Sequence, residues 1–218
     1  MTRPLHRRRA LWALAGEIVA ADTELVEAVD AALRDGAARA RGHLACRVGC
    51  THCCLGPFNI AALEAARLVR GLAALTLRHP GTASASIERA SGQWEQMIAA
   101  FPGDPITGVL TDDETARAVF FARFEDVLCP ALDPASGSCQ VYRWRPLACR
   151  TYGLPVRYGS EVLEPWPLNF RAAPLEVVAA ATVEPDADDR EGSLQGLARK
   201  AGVMGETVVA AVLGAAAG

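Results

Sequence analysis

The sequence predicts a mainly α protein, a helical domain with an irregular cysteine-rich segment and a small β-hairpin. Three observations carry this. Apolar residues recur at three- and four-residue steps over long stretches, as the buried face of a helix requires. Pro-Gly pairs and capping residues punctuate those stretches. From Cys129 to about Asn169 the periodicity gives way to frequent Pro, Gly and Ser.

Leu11, Leu14, Ile18, Leu25, Val29 and Leu33 form the first stripe, one long amino-terminal helix or two. Asn59 is placed to cap a second helix carrying Ile60, Leu63, Leu68, Leu72 and Leu75, with Pro80-Gly81 as its stop. A third is expected from about Ser84, with Ile87, Trp94, Ile98 and Phe101 on one face, ending at Pro102-Gly103. Thr111 and Glu114 fit a capping box, in which hydroxyl and carboxylate satisfy orphan amides reciprocally. That helix should bury Ala116, Phe120, Phe124 and Leu128 and run into Cys129-Pro130. Gly159-Ser160 separates two short extended pieces, Val156 to Tyr158 and Glu161 to Leu163, which read as the hairpin. The acidic stretch Glu184 to Glu191 reads as a linker before a closing helical segment, Leu194 to Leu213, weakened by Gly202 and Gly205.

The chain has 218 residues, 51% of them hydrophobic, enough to bury one substantial core. One domain over residues 1–218 is expected, with helical flanks at 1–40 and 184–218 around a cysteine-bearing region at 46–153. The 22 basic residues against 25 acidic ones give a net charge of −3, so no nucleic acid partner is expected. The basic run Arg3, His6, Arg7, Arg8, Arg9 reads as a solvated tail. The apolar stretch behind it is broken by Glu17, Asp22 and Glu24, which argues against a secretory signal. No window approaches the ~18 apolar residues a membrane span needs, so a cytoplasmic protein without membrane association is expected.

Chemistry concentrates in the seven cysteines. An odd number leaves one unpaired in any disulfide scheme, and a reducing compartment favours metal ligands over staples. Cys46-Arg-Val-Gly-Cys50-Thr-His-Cys53-Cys54 sets four thiols within nine residues, and a turn at Gly49 can aim several sulfurs at one point. Cys53 and Cys54 are adjacent, so their side chains should diverge and not both enter one mononuclear sphere without strain, which leaves Cys54 either to a second metal or as a spare. Cys129, Cys139 and Cys149 follow at ten-residue intervals in the irregular segment, which can fold back onto the first cluster. All seven are candidate metal ligands. The spacing suits either a four-cysteine site with three thiols over, or two metals sharing a sulfur. Arg143, Arg145 and Arg150 are candidates to offset thiolate charge. His43 and His52 are either auxiliary ligands or groups behind the ligands. Zinc, iron and an iron–sulfur cluster are all compatible cofactors.

Two blocks resemble a known family, the YkgJ-type cysteine cluster proteins or CxxCxxCC zinc- or iron-chelating domain. The first is Cys46 to Cys54, with a first gap of three residues where the family's short name has two. The second reads Cys129-Pro-Ala-Leu132-Asp133, Cys139-Gln-Val141-Tyr142 and Arg145-Pro146-Leu-Ala-Cys149-Arg150. The resemblance places all seven cysteines on family positions and implies a cysteine-held zinc or iron. Some relatives are flagellin lysine N-methylases, so it also implies S-adenosylmethionine and a protein substrate as one activity.

Whether the protein is an enzyme stays open at this level. Cys46-x3-Cys50-x2-Cys53 matches the radical S-adenosylmethionine signature, but no strand precedes Cys46 as that barrel architecture requires. Redox or group transfer at an iron or iron–sulfur centre is a second enzymatic reading. A structural metal presenting a surface to a protein partner is the non-enzymatic one.

Overall fold

The computed structural model describes residues 11–47, 49–57 and 59–214. The basic run Arg3 to Arg9 lies outside the described residues. In chain order the helices are α1 (Gly16–Arg39), α2 (Ala62–Arg78), α3 (Pro80–Met97), α4 (Glu114–Arg123), α5 (Leu147–Thr151), α6 (Leu175–Ala181), α7 (Arg190–Lys200) and α8 (Val209–Gly214). The strands are β1 (Asn59–Ala61), β2 (Gly103–Asp104), β3 (Val109–Leu110), β4 (Leu132–Asp133), β5 (Ser138–Cys139), β6 (Val156–Tyr158), β7 (Glu161–Leu163) and β8 (Glu206–Val208). The fold is mainly α, and among the described residues the strands join in antiparallel pairs, β1 with β8, β2 with β3, β4 with β5 and β6 with β7, while Val156 of β6 also bridges Val183 in parallel. No helix among the described residues is long and apolar enough to cross a membrane.

The chain forms two compact units, one of Met1–Leu14, Thr51–Pro146 and Ala198–Gly218, the other of Ala15–Cys50 and Leu147–Leu197. In the second, α1 is a single helix that buries Ile18, Leu25, Val29 and Leu33 of the expected stripe, while Leu11 and Leu14 fall before its start. It packs against α5 and α6. The β6–β7 hairpin forms as read from the sequence, pairing Val156 with Leu163 and Tyr158 with Glu161 around Gly159-Ser160.

In the first unit α3 packs on α2 and α8. The core there gathers Ile60, Leu68, Leu72, Val141, Val212 and Leu213, with Cys129, Cys139 and Trp144 packed against it. A second cluster centres on Phe120, whose ring lies 5.6 Å from Phe101, 5.4 Å from Phe121 and 5.2 Å from Phe124.

Several element ends differ from expectation, each because a local bond outcompetes the signal in the sequence. Asn59 does not cap α2. It sits in β1, donates from Nδ2 to Glu206 Oε1 at 2.7 Å, and leaves the helix to begin at Ala62, where the Glu64 carboxylate accepts the Ala61 N–H at 3.0 Å. Pro80 does not merely stop α2 but opens α3 at its first turn, where its missing N–H is no loss. Of that helix's expected face, Trp94 and Phe101 are buried and Ile98 is exposed.

There is no Thr111–Glu114 capping box. Asp113 caps α4 by accepting from the Ala116 N–H at 3.0 Å, and Thr111 Oγ1 accepts from the Asp113 N–H at 3.3 Å. The helix ends at Arg123, short of Cys129, so only Phe120 of its expected stripe is buried and Leu128 is exposed. The closing helical segment is split into α7 and α8 by β8, which pairs with β1 in the register Asn59–Val208 and Ala61–Glu206. The acidic stretch before α7 is a cap rather than a linker. Asp186 accepts from the Arg190 and Glu191 N–H groups at 3.0 and 2.9 Å, which satisfies the helix's orphan donors.

Candidate metal centre

The motif Cys46 to Cys54 folds as two consecutive tight turns. In the first, the Cys50 N–H bonds the Arg47 carbonyl at 3.0 Å, with Gly49 at φ +87° in the position that needs a left-handed residue. In the second, the Cys54 N–H bonds the Thr51 carbonyl at 2.8 Å. The boundary between the compact units falls between Cys50 and Thr51. One unit therefore carries Cys46, Cys50 and Cys149, and the other Cys53, Cys54, Cys129 and Cys139. All seven are free thiols.

In the four-thiol unit the two cysteine-bearing segments are laced together through the backbone. The Cys129 N–H donates to the Cys54 carbonyl at 2.7 Å, the Gly56 N–H donates to the Val127 carbonyl at 2.8 Å, and Leu55 bridges Leu128. Two α3 side chains hold the same stretch, with Gln93 Nε2 donating to the Leu128 carbonyl at 2.7 Å and Arg89 Nε to the Pro130 carbonyl at 3.1 Å. Cys139 is delivered by the β4–β5 hairpin, paired opposite Leu132. The Leu132 N–H closes a turn onto the Cys129 carbonyl at 3.0 Å. The 133–138 loop is braced by Asp133, whose Oδ2 accepts the Ser136 hydroxyl at 2.6 Å. That bond holds its carboxyl below the usual range.

The four thiols feel one another. Cys53 and Cys54 do not diverge. The second turn brings their side chains within hydrogen-bonding reach, and the Cys54 S–H bond lowers the Cys53 thiol to about 6, with the Arg145 guanidinium adding to the effect. The same bond raises Cys54, together with burial and the nearby Cys53, Cys129 and Cys139. Burial pushes the Cys129 thiol up to about 12. One thiolate is thus available near neutrality, and a metal taking the others must displace their protons.

Thiols are the soft donors that tetrahedral zinc and iron centres use, and Cys53, Cys54, Cys129 and Cys139 lie on segments that pair with or adjoin one another. Among the described residues no three His, Cys, Asp or Glu side chains close around a common point. The donor chemistry of these residues fits zinc or iron.

The remaining sequence candidates separate clearly. Arg145 stacks on Tyr142, its guanidinium carbon 3.6 Å from the ring centre, and is the arginine that acts on Cys53. Arg143 is exposed. Arg150, on α5 beside Cys149, is buried, and its Nη1 reaches both carboxylate oxygens of Asp30 on α1 at 2.7 and 2.8 Å. It neutralises a carboxylate, a role that sequence reading missed because Asp30 lies 120 residues away. Asp30→Ala strands that buried cation. Asp30 itself keeps 35% exposure, so the expected loss is about 2–3 kcal/mol, at the lower edge of what breaking a buried pair costs. Denaturant unfolding measures it, and a loss below about 0.5 kcal/mol would show the pair to be a surface contact. His52 is exposed, and the His43 carbonyl accepts the Phe170 N–H at 2.6 Å.

These features define a mainly helical protein whose cysteines gather in two groups, one in each compact unit. Residues 45–162 match the family model described as CxxCxxCC: Putative zinc- or iron-chelating domain, more than half of the chain, and the chain belongs to that family. No curated protein and no solved structure matches it.

Proposed function

We propose that this protein binds zinc or iron through its cysteines, with Cys53, Cys54, Cys129 and Cys139 forming a four-thiolate set in one unit. Cys46, Cys50 and Cys149 supply further thiolate donors in the other. The observation that carries this reading is the backbone pairing of the Cys54 segment with the Cys129 segment, with Cys139 on the adjoining β4–β5 hairpin. A full four-sulfur sphere leaves no open position, which favours a metal that stabilises the irregular segment over one that performs chemistry. On this reading the protein's role is to hold the metal and present the surface built on it.

Anaerobic purification followed by metal and acid-labile sulfide analysis tests the assignment. Stoichiometric zinc or iron without sulfide is the expected result. Sulfide in proportion to iron, with brown colour, would replace the mononuclear reading with an iron–sulfur centre. S-Adenosylmethionine that perturbs such a spectrum would show that the centre binds it and favour the enzymatic reading over the structural one.

A further inference from the structure

Asn169 lies beyond the residues matched by the family model, in an irregular stretch with no sequence signal, yet it is only 4% exposed. Both ends of its carboxamide are used. Oδ1 accepts the backbone N–H groups of Ala45 at 2.7 Å and Cys46 at 3.3 Å. Nδ2 donates to the Gly153 carbonyl at 2.7 Å and to Cys46 Sγ at 3.3 Å. The amide orientation is fixed by these partners, since the two N–H groups can only donate and the Gly153 carbonyl can only accept.

The surroundings are built to permit the contact with sulfur. Gly153 sits at φ +114°, and a Cβ there would stand 3.1 Å from both Asn169 Nδ2 and Cys46 Sγ. Phe170 and Ala172 are held at φ +55° and +56°. Left-handed conformations of this kind are unfavourable for residues that carry a Cβ. Such strain persists where neighbouring contacts over-determine it, and here the Phe170 N–H is anchored on the His43 carbonyl at 2.6 Å and the Asn169 N–H on Trp166 at 2.8 Å. A loop clamp alone would need only the backbone partners. It would not need an N–H directed at the sulfur.

We propose that Asn169 is a positioning residue for Cys46, donating an amide hydrogen bond to its sulfur when that sulfur serves as a thiolate ligand. The bond fixes the direction of the sulfur lone pairs and takes up part of the thiolate charge, as outer partners of metal ligands do. This inference rests on the metal-binding reading above.

Cobalt(II) is the probe, because thiolate-to-cobalt charge transfer gives a near-ultraviolet band. Asn169→Asp keeps an acceptor for the Ala45 and Cys46 N–H groups but removes the donor to sulfur, and Asn169→Ala removes both. Cobalt affinity should fall roughly 10- to 100-fold in Asn169→Asp, in line with other outer-partner losses. The band should move to lower energy, because a sulfur lone pair without its hydrogen bond lies higher. In a Cys46→Ser background the Asn169 change should cost nothing further. Folded Asn169 variants with wild-type affinity and band position would overturn the proposal, as would an undiminished loss in the Cys46→Ser background. A wild-type protein with no thiolate band would overturn the metal reading itself, and the inference with it. Should both variants fail to fold, the side-chain amide signal of Asn169 in isotope-labelled wild-type protein decides: it should move on zinc loading, and an unmoved signal overturns the proposal.

Discussion

Replacing Cys129 with serine should weaken zinc binding by about a hundredfold. Structural zinc contributes on the order of 12 kcal/mol, so each of four thiolates accounts for about 3 kcal/mol, and a serine hydroxyl does not ionise to replace one. Cys129 is the informative choice because its segment is fixed from three sides, by Cys54 through the backbone and by Gln93 and Arg89 from α3. The frame should therefore survive the substitution and the loss should report the ligand. Competition against a calibrated chelator measures it, with circular dichroism to establish that the helices remain. An affinity equal to wild type would remove Cys129 from the ligand set.

The largest expected effect on stability lies at Phe120, in the same unit but on the aromatic cluster. The ring is 1% exposed and touches three other phenylalanines, while Trp94 packs edge-on to Phe101 at 4.8 Å. Phe120→Ala removes the ring and leaves a cavity that rigid aromatic neighbours fill poorly, at a cost of about 3–5 kcal/mol. Val119, one residue earlier on α4 and 65% exposed, provides the control, since Val119→Ala should stay within about 0.5 kcal/mol. Denaturant midpoints compare the two. A Phe120→Ala loss below about 1 kcal/mol would show that the cluster is not packed as described.

The sequence made some of this legible and concealed the rest for physical reasons. The stripe of α1 was readable because Ile18, Leu25, Val29 and Leu33 repeat with the helical period, and β6–β7 because a Gly-Ser turn joins two extended pieces. What depended on distant partners was not. Nothing local tells Asn59 to abandon a cap for a strand, since β8 lies nearly 150 residues on and Glu206 supplies the competing acceptor. The same pairing split the expected closing helix. At Thr111 the error was one of competition between neighbours, because Asp113 is also a good cap and takes the Ala116 N–H first.

The cysteines were visible from type and spacing alone, but their grouping was not. Adjacency suggested that Cys53 and Cys54 diverge, whereas the tight turn at Thr51 to Cys54 folds their side chains towards one another. Arg145 and Arg150 looked equivalent in sequence and differ by what they meet, one a tyrosine ring beside the thiols and the other the Asp30 carboxylate. Asn169 carried no signal at all, because asparagine is common in irregular loops and its partners Ala45 and Cys46 lie more than 120 positions back in the chain.

The most direct test of the central claim is a thiol count made alongside metal analysis. Native protein purified without oxygen should carry stoichiometric zinc or iron and react slowly with a thiol reagent. Stripping the metal with a chelator should release at least the four thiols of Cys53, Cys54, Cys129 and Cys139 together. Seven thiols that react at once, on folded protein that neither carries nor takes up zinc or iron, would contradict it.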